Sequence, residues 1–308
     1  MRAVFMGSPD FAVPSLLRLA QAGQLVGVVT QPDRPAGRGR SLSPPAVKLA
    51  ALDLGLPVRQ PDRLRDPQFL DWLRGLSPDV IVVAAYGRIL KPDILRLPRR
   101  GCINVHASLL PRWRGASPLQ SALLAGDATS GVTIMVMDEG MDTGPLLAQR
   151  ATPILPTDTG ADLSQRLASL GADLLIETLP GWLDATLPAT PQEERLATHA
   201  PLLNKADGRL DPQKTAVELA RQVRAFHPWP GSFLQWGDER LTIHRARALD
   251  APAGTPGTLL ALGEEPALLT TQGALVFEEV QPAGRRPQSG PAYLRGSRGF
   301  QGAFATSP

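Results

Sequence analysis

The first half of the chain alternates short apolar runs with longer segments of helical periodicity. The apolar runs are rich in β-branched residues, bounded by turn residues and mostly apolar on both faces, which is typical of strands buried in a parallel sheet. We predict such strands at residues 3–5, 25–30, 80–84, 103–106 and 132–137. The helical pattern covers residues 11–22, 45–54, 66–75 and 118–124. This alternation predicts an α/β fold with a doubly wound, mostly parallel sheet, and such sheets bind ligands beyond the carboxyl ends of their strands.

A long amphipathic segment follows this alternation and is expected to close the first domain. We predict a helix at residues 158–179, because Pro180-Gly181 stops the helical pattern. Residues 188–203 are rich in Pro, Thr and Glu and lack periodicity, which indicates a linker. The first domain is therefore predicted to cover residues 1–187.

The last third of the chain, residues 204–308, has a β-rich pattern. A helix is predicted at residues 214–226. Short apolar runs separated by Gly and Pro follow it, at residues 232–236, 241–248, 258–262, 267–271 and 274–280. Regular short strands of this kind predict a small OB-like β-barrel as a second domain. The tail after Gly296 has few core residues and is predicted to be mobile.

The composition is that of a globular protein. Hydrophobic residues make up 43% and charged residues 20% of the 308 residues, and no apolar run approaches the roughly 20 residues that a membrane helix needs. The apolar start is too short for a signal peptide and is interrupted at Ser8-Pro9. Cys102 is the only cysteine, which excludes an internal disulfide and favours a cytoplasmic location. A net charge of +3 alone favours a soluble protein of mixed surface, and only clustering of the basic residues would indicate nucleic-acid binding.

Two polar residues stand at the end of a predicted buried strand. Asn104 and His106 are two positions apart, so alternation places both side chains on one face at the ligand-binding edge of the sheet. An imidazole transfers protons near neutral pH, and an amide donates a hydrogen bond to an oxyanion without changing charge. Acyl transfer requires both functions. An isolated Asn-x-His pair would equally describe a solvated strand end with a capping asparagine.

An acidic, glycine-containing loop follows the strand predicted at residues 132–137. Asp138, Glu139 and Asp142 lie within five positions, and we expect this loop at the same edge of the sheet as His106. A carboxylate beside an imidazole fixes its tautomer. The alternative is an acidic surface turn.

Together these segments resemble the active site of the 10-formyltetrahydrofolate-dependent formyltransferases. That family carries an Asn-x-His-x-Ser-x-Leu-Pro motif and an acidic loop that ends in Asp-Thr-Gly; the matching residues here are Asn104, His106, Ser108, Leu110 and Pro111, then Asp142, Thr143 and Gly144. The resemblance implies a Rossmann-like catalytic domain, 10-formyltetrahydrofolate as formyl-donating cosubstrate, and Asn104, His106 and Asp142 as the catalytic residues.

The resemblance also implies which residues hold the folate. The pterin pocket would be lined by Ile89, Leu90 and the loop with Asp138 and Gly140, and the folate-binding wall by Ser108, Leu109, Leu110 and Pro111. The peptide bond between Leu110 and Pro111 is expected to be cis. The usual tryptophan of the family is replaced by Pro212 near the start of the second domain, which puts details of the barrel in doubt.

Basic segments resemble those of the family members that formylate initiator methionyl-tRNA. They are a Gly/Pro-rich loop at residues 31–43, an Arg-Trp-Arg segment and a His-Pro-Trp-Pro-Gly segment near Trp229. The implied tRNA contacts are Arg34, Arg38, Arg40, Arg112 and Arg114. An exposed basic loop without a partner is the alternative for residues 31–43. Trp113 is either a stacking platform or packed under the loop, and Trp229 is expected to be a packing anchor.

The implied mechanism is direct attack of the methionyl amine on the formyl carbon, without a covalent enzyme intermediate. Asn104 and protonated His106 would stabilise the oxyanion, and Asp142 would orient His106. Cys102 is expected to be a core residue. No metal is expected, because the other histidines lack ligand spacing. The chain is expected to be a monomer. Three other functions are alternatives: a formyltransferase acting on a sugar nucleotide or purine precursor, an NAD-dependent dehydrogenase, and a non-catalytic RNA-binding protein. The absence of the G-x-G-x-x-G fingerprint from this sequence argues against the dehydrogenase.

Overall fold

A computed structural model describes residues 1–23, 25–36, 41–251 and 254–305 of the chain, with the side chains of residues 36 and 41 left undescribed. The chain divides into two compact units. The first contains residues 1–118, 129–153 and 164–201, and the second contains residues 119–128, 154–163 and the chain from Leu202 onward.

The first unit is built on a seven-stranded sheet with helices. Its strands, with two short two-stranded pairings, are β1 (Ala3–Gly7), β2 (Leu25–Val29), β3 (Arg34–Ala36), β4 (Ser41–Ser43), β5 (Val58–Arg59), β6 (Val80–Ala84), β7 (Cys102–His106), β8 (Arg114–Gly115), β9 (Thr129–Val136), β10 (Leu146–Pro153) and β11 (His199–Ala200). Its helices are α1 (Val13–Gln21), α2 (Ala46–Asp53), α3 (Pro67–Gly75) and α4 (Pro92–Leu95), while α5 (Pro118–Ala125) and α6 (Gly160–Leu183) include residues of both units.

The strand order of the main sheet is β10-β9-β7-β6-β1-β2-β5. The five strands from β7 to β5 are parallel to their neighbours. All five residues of β1 and all five of β6 are buried, because a central parallel strand is covered by helices on both faces. The carboxyl ends of β1, β2, β6 and β7 therefore meet at one edge, where ligands are expected.

Two strands of this sheet run against the predicted parallel order. β9 is antiparallel to β7, with Ile103 opposite Val136 and His106 opposite Thr133, and β10 is antiparallel to β9. The apolar pattern of residues 132–137 predicted a strand correctly but carries no information on its direction. The mixed sheet still confirms the predicted α/β fold class.

The helix predicted at residues 158–179 is observed as α6, and it continues through Pro180 to Leu183. A proline removes a single backbone donor and is tolerated here in the last turn of the helix. After it, the Asp184 amide donates to the Pro180 carbonyl oxygen. The prediction that Pro180 ends the helix was therefore wrong by one turn.

The second unit contains an antiparallel half-barrel. Its elements are α7 (Ala216–Ala225), β12 (Ser232–Trp236), β13 (Glu239–Leu249), β14 (Leu259–Leu262), β15 (Glu265–Leu269), β16 (Ala274–Pro282), β17 (Gln288–Ser289) and α8 (Gly290–Gly296). The strand order is β12-β13-β16-β15-β14, with β17 paired to β16. A reciprocal capping box between Thr215 and Glu218 fixes the start of α7. Val223 of α7 packs into the core formed by the sheet.

The described part of the tail after Gly296 packs against the half-barrel, contrary to the prediction of a mobile segment. Phe300 is 1% exposed and packs edge-on against Trp236 and Tyr293. Ala305 forms a β-bridge with Trp236 at the end of β12, and the Leu259 amide of β14 donates to the tail at Ala303. The tail thus connects the two outer strands of the half-barrel. The Gly-rich composition of the tail suggested mobility, but Phe300 within it is a buried core residue.

No helix in the described ranges is long and apolar enough to cross a membrane.

Candidate active site

The carboxyl end of β7 carries two polar side chains on one face of the sheet. Asn104 and His106 alternate with the buried Val105, and His106 is 6% exposed. Both side chains approach the same carboxylate oxygen, that of Asp142. The structure therefore brings together the three residues that the sequence proposed as catalytic.

The acidic loop reaches this pair by a route that the sequence did not predict. Because β9 is antiparallel to β7, the loop starts at the amino end of β7, where the Met137 amide donates to the Cys102 carbonyl oxygen at 2.8 Å. The expectation that the loop begins at the carboxyl edge was wrong. The loop instead folds back along β7, and Asp142, with a φ of 56°, returns its carboxylate to His106.

The two carboxylate oxygens of Asp142 differ in their contacts. Its Oδ2 accepts a hydrogen bond from the Gly115 amide at 2.8 Å. Its Oδ1 lies 3.5 Å from Asn104 Nδ2 and 3.6 Å from His106 Nδ1. These distances are long for direct hydrogen bonds, and catalytic contacts of this length tighten when a polar group binds. The amide nitrogen of Asn104 and the imidazole Nδ1 of His106 therefore converge on one carboxylate oxygen.

The tautomer of His106 follows from its other contact. His106 Nε2 lies 3.1 Å from the Trp113 carbonyl oxygen. A carbonyl only accepts, so Nε2 carries a proton. The neutral ring then presents the lone pair of Nδ1 towards Asp142, and the protonated ring presents an N–H there. His106 is therefore arranged to gain and release a proton at Nδ1.

The segment after His106 forms a wall that is fixed from behind. Ser108 Oγ donates to the Arg112 carbonyl oxygen at 2.7 Å, and the Leu110 amide donates to Thr133 Oγ1 at 3.1 Å. The Leu110–Pro111 peptide bond is cis, which confirms the expectation. Ser108 and Leu110 are buried, whereas Leu109 and Pro111 keep part of their surface exposed. Among the four residues expected to form the folate-binding wall, Leu109 and Pro111 are therefore the ones with surface open to a ligand.

The residues proposed for the pterin pocket divide into exposed and buried ones. Ile89 is 63% exposed, but Leu90 packs in the core beside Met137, so its side chain supports the pocket rather than lining it. Asp138 Oδ1 accepts hydrogen bonds from the Gly140 amide at 3.0 Å and from Thr143 Oγ1 at 2.7 Å. Asp138 and Gly140 therefore shape the loop that carries Asp142.

Arg114 is the clearest departure among the arginines proposed to contact tRNA. It is 2% exposed, and its Nη1 donates to both carboxylate oxygens of Glu194 at 3.0 and 2.8 Å. A buried, paired guanidinium is not a surface contact for phosphate, so this prediction was wrong. Arg112 is exposed, with its guanidinium 4.3 Å from the centre of the Trp113 ring. Trp113 is thus a partner of Arg112 in this structure.

The other predicted tRNA contacts lie in the segment after β2. Arg34 is exposed at the start of the β3–β4 hairpin, and its Nη2 donates to Gln31 Oε1 at 3.2 Å. Arg38 and Arg40 lie outside the described residues. The hairpin follows the carboxyl end of β2, at the edge of the sheet where β7 also ends.

Two residues at the site were not found from the sequence. Gly115 donates its amide to Asp142, and Gln192 Nε2 donates to the Asp142 and Gly144 carbonyl oxygens at 2.8 and 2.7 Å. Gly115 has a φ of 118°, which a glycine after a run of bulky residues could have suggested. Gln192 lies in the segment interpreted as a linker, and nothing in its composition indicated a role.

Cys102 is a core residue, as expected. It is 1% exposed, and burial raises the pKa of its thiol to about 12. Within the part of the chain that the structure describes, no group of three or more His, Cys, Asp or Glu residues could hold a metal ion.

Comparison with known proteins defines the class. The family described as formyl transferase matches residues 1–179, and the formyl transferase C-terminal domain matches residues 202–298. The chain therefore belongs to the formyl transferase family.

Similar proteins within that family indicate which kind of formyl transferase the chain resembles. The chain is 49% identical over 298 residues to the methionyl-tRNA formyltransferase of Myxococcus xanthus (strain DK1622), covering 96% of this chain and 95% of the relative. It is 50% identical over 300 residues to the methionyl-tRNA formyltransferase of Halorhodospira halophila (strain DSM 244 / SL1), covering 96% of each chain. The resemblance recognised in the sequence is confirmed.

Solved structures with the same fold are more distant in sequence. The sugar 3N-formyl transferase WlaRD, determined in the presence of dTDP and 5-N-formyl-THF, has a TM-score of 0.67 at 17% identity and covers 93% of this chain and 99% of its own. HypX from Aquifex aeolicus, in complex with tetrahydrofolic acid, has a TM-score of 0.65 at 18% identity and covers 96% of this chain and 47% of its own. These likenesses confirm the fold class.

Proposed function

We propose that the protein transfers the formyl group of 10-formyltetrahydrofolate to the amino group of methionine on initiator methionyl-tRNA. The observation that carries the chemistry is the convergence of Asn104 Nδ2 and His106 Nδ1 on Asp142 Oδ1 within 3.6 Å. The acceptor is supported by relatives at 49% and 50% identity that are methionyl-tRNA formyltransferases over nearly their whole length.

The residues around this point fit a folate donor. Ile89 and Met141 are exposed apolar side chains, 63% and 59% exposed, on the two segments proposed to border the pterin. Leu90 belongs to a core cluster against which Met137, at the start of the acidic loop, also packs, so both segments border the same core. Apolar borders beside a few convergent polar groups are typical of small-molecule sites. The donor supplies the formyl carbon to this site.

The three polar residues then have distinct tasks. Asn104 donates a hydrogen bond towards the formyl oxygen as negative charge develops there. His106, protonated at Nδ1, provides a second donor, while its Nε2 stays bound to the Trp113 carbonyl oxygen. Asp142 holds the imidazolium by charge. Through water it relays the proton that the attacking amine releases to the donor nitrogen, which departs as the bond between that nitrogen and the formyl carbon breaks. The methionyl amine attacks the formyl carbon directly.

The two domains are proposed to divide the work between donor and acceptor. Residues 1–187 would form the catalytic domain, residues 188–203 the linker and residues 204–308 the tRNA-binding domain. The Arg245 and Arg247 guanidinium groups pair with Glu278 and with Glu265 and Glu278, respectively, which reduces the basic surface that the sequence suggested.

Trp229 remains as a candidate contact in the second unit. It is 48% exposed, so part of the indole is open to solvent, and the packing-anchor role stays a prediction. It stands in a Pro-Trp-Pro turn that presents the indole to solvent. We propose an indole–base contact with the tRNA at this position.

The decisive experiment is a comparison of acceptors. The protein is incubated with 10-formyltetrahydrofolate and, separately, with methionyl-tRNA, an amino-sugar nucleotide and glycinamide ribonucleotide, and the formylated product is measured. Formylmethionine should form at least a hundredfold faster than the other products. Transfer to a small acceptor alone would replace the tRNA assignment by one of the rival formyltransferases. The His106→Ala variant should lose about 10²–10⁴-fold in rate while staying folded, and parental activity would remove His106 from the mechanism.

We also propose that the protein is a cytoplasmic monomer. The free, buried thiol of Cys102 is compatible with a reducing compartment. Size-exclusion chromatography with light scattering measures the oligomeric state, and a mass near 32.9 kDa is expected. A mass of twice that value would contradict the monomer.

A further inference from the structure

One carboxamide bridges the acidic loop and the segment that follows the folate-binding wall. Gln192 Nε2 donates to the carbonyl oxygens of Asp142 and Gly144 at 2.8 and 2.7 Å, and Gln192 Oε1 accepts from Arg114 Nε at 3.1 Å. The two amide hydrogens therefore serve two carbonyl groups on either side of Thr143. Every strong contact of this side chain goes to the loop or to Arg114.

Arg114 determines which way the carboxamide points. A guanidinium only donates, so the oxygen of Gln192 must face it and the amide nitrogen must face the loop. Arg114 itself is 2% exposed and is anchored by Glu194 through Nη1. Its backbone is anchored as well, because its amide donates to the Thr198 carbonyl oxygen at 2.9 Å. The orientation of Gln192 is thus fixed by a buried cation.

This connection acts on a backbone that requires support. Asp142 has a φ of 56°, in the left-handed region that L-residues other than Asn and Asp rarely adopt. Gln192 holds the carbonyl of that residue, and the Gly115 amide, next to Arg114 in sequence, holds its Oδ2 at 2.8 Å. Two neighbouring residues therefore restrain Asp142. Arg114 acts on its backbone through Gln192, and Gly115 acts on its side chain, which leaves Oδ1 directed at Asn104 and His106.

We propose that Gln192, oriented by the buried Arg114, is a positioning residue for Asp142 in formyl transfer. It touches none of the groups that face the reacting atoms, so it acts through the loop. The inference rests on the proposed function, since it assumes that Asp142 contributes to transfer. Loss of Gln192 frees the loop backbone, and a displacement of about 1 Å in a catalytic group typically lowers a rate by about a hundredfold.

The test is a double-mutant cycle on kcat with Gln192→Ala, Asp142→Asn and the combined variant, in the full chain with 10-formyltetrahydrofolate and methionyl-tRNA. We expect Gln192→Ala to lower kcat by about ten- to a hundredfold in the parent and by less than about threefold in the Asp142→Asn background. A purely structural role would instead lower kcat by the same factor in both backgrounds, and that result would overturn the proposal.

Two further variants keep the result interpretable. Gln192→Glu retains the contact with Arg114 but places a carboxylate against two carbonyl oxygens, so it should impair kcat as Gln192→Ala does, even if the alanine variant folds poorly. Glu193→Gln, at the exposed neighbouring position, is the control and should retain parental kcat. Parental kcat in both Gln192 variants would reject the positioning role alone. Parental kcat in Asp142→Asn would instead reject the catalytic role of Asp142.

Discussion

Replacement of Asp142 by asparagine removes one charge from the centre of the proposed site and replaces one of the two acceptor oxygens with an NH₂ group. Asparagine is nearly isosteric, tolerates a φ of 56° and can still accept from the Gly115 amide. The lost term is the attraction between the carboxylate and a protonated His106, whose Nδ1 lies 3.6 Å from Oδ1. At that separation the attraction is about 1 kcal/mol in a water-like medium and about 5 kcal/mol at an effective dielectric constant of 20.

This range sets the expected loss of rate. With each 1.36 kcal/mol equal to a factor of ten, kcat should fall by about fivefold to about five-thousandfold. The assay follows formylmethionyl-tRNA formation at saturating donor and acceptor, and donor affinity is measured separately by titration. Donor affinity should change by less than about threefold, because the apolar borders of the proposed pocket are untouched.

Glu139→Gln is the matched control for this change. It removes the same charge from the same loop, but Glu139 is 64% exposed and pairs with Arg96 at the surface. Its kcat should stay within about twofold of the parent, because exposed pairs contribute little. Equal losses in both variants would assign the effect to the overall charge of the loop. An Asp142→Asn variant with parental kcat and weakened donor binding would make Asp142 a binding residue and refute the charge argument.

Three further outcomes test other parts of the structure. Phe300→Ala should destabilise the protein by about 3–5 kcal/mol in urea unfolding, whereas Phe304→Ala, at a position 53% exposed, should lose about 1 kcal/mol or less; equal losses would mean that the tail is not packed in solution. Cys102 should resist a thiol-specific reagent at pH 8 until the chain is unfolded, because burial raises its pKa to about 12; labelling of the native protein would contradict the burial. The raised pKa also means that the stability contributed by the protonated thiol is fully present below the unfolded-state pKa and is lost as the pH rises through about 12. Arg38→Ala should raise the KM for methionyl-tRNA and flatten its salt dependence with unchanged donor binding; an unchanged KM would remove residue 38 from the tRNA contacts.

The sequence predicted those features that depend on local pattern. The runs at β1 and β6 are apolar throughout, and each became a fully buried strand at the centre of the sheet. Asn104 and His106 were placed correctly because alternation along a strand fixes the face of each side chain. These inferences needed no knowledge of distant contacts.

The features that the sequence did not predict depend on long-range pairing. An apolar strand such as β9 has the same residue pattern in a parallel and in an antiparallel pairing. Its direction depends on its pairing with β7 and could not be predicted from its own residues. Arg114 was taken for a surface cation because the partner that pairs with it, Glu194, lies 80 positions later. Gln192 was assigned to a linker because a hydrogen bond to two backbone carbonyls leaves no trace in composition.

The tail that joins β12 and β14 has a consequence for biosynthesis. The second unit combines segments made early, residues 119–128 and 154–163, with a closing segment at residues 299–305 that is made much later. Until residue 305 has left the ribosome, Phe300 cannot fill the core and the edge of β14 stays open. The sheet of the first unit, whose last strand ends at Pro153, has all its strands available long before. We therefore expect the second unit to keep an open sheet edge until residues 299–305 have been made, and we expect chaperones to engage the chain at this stage.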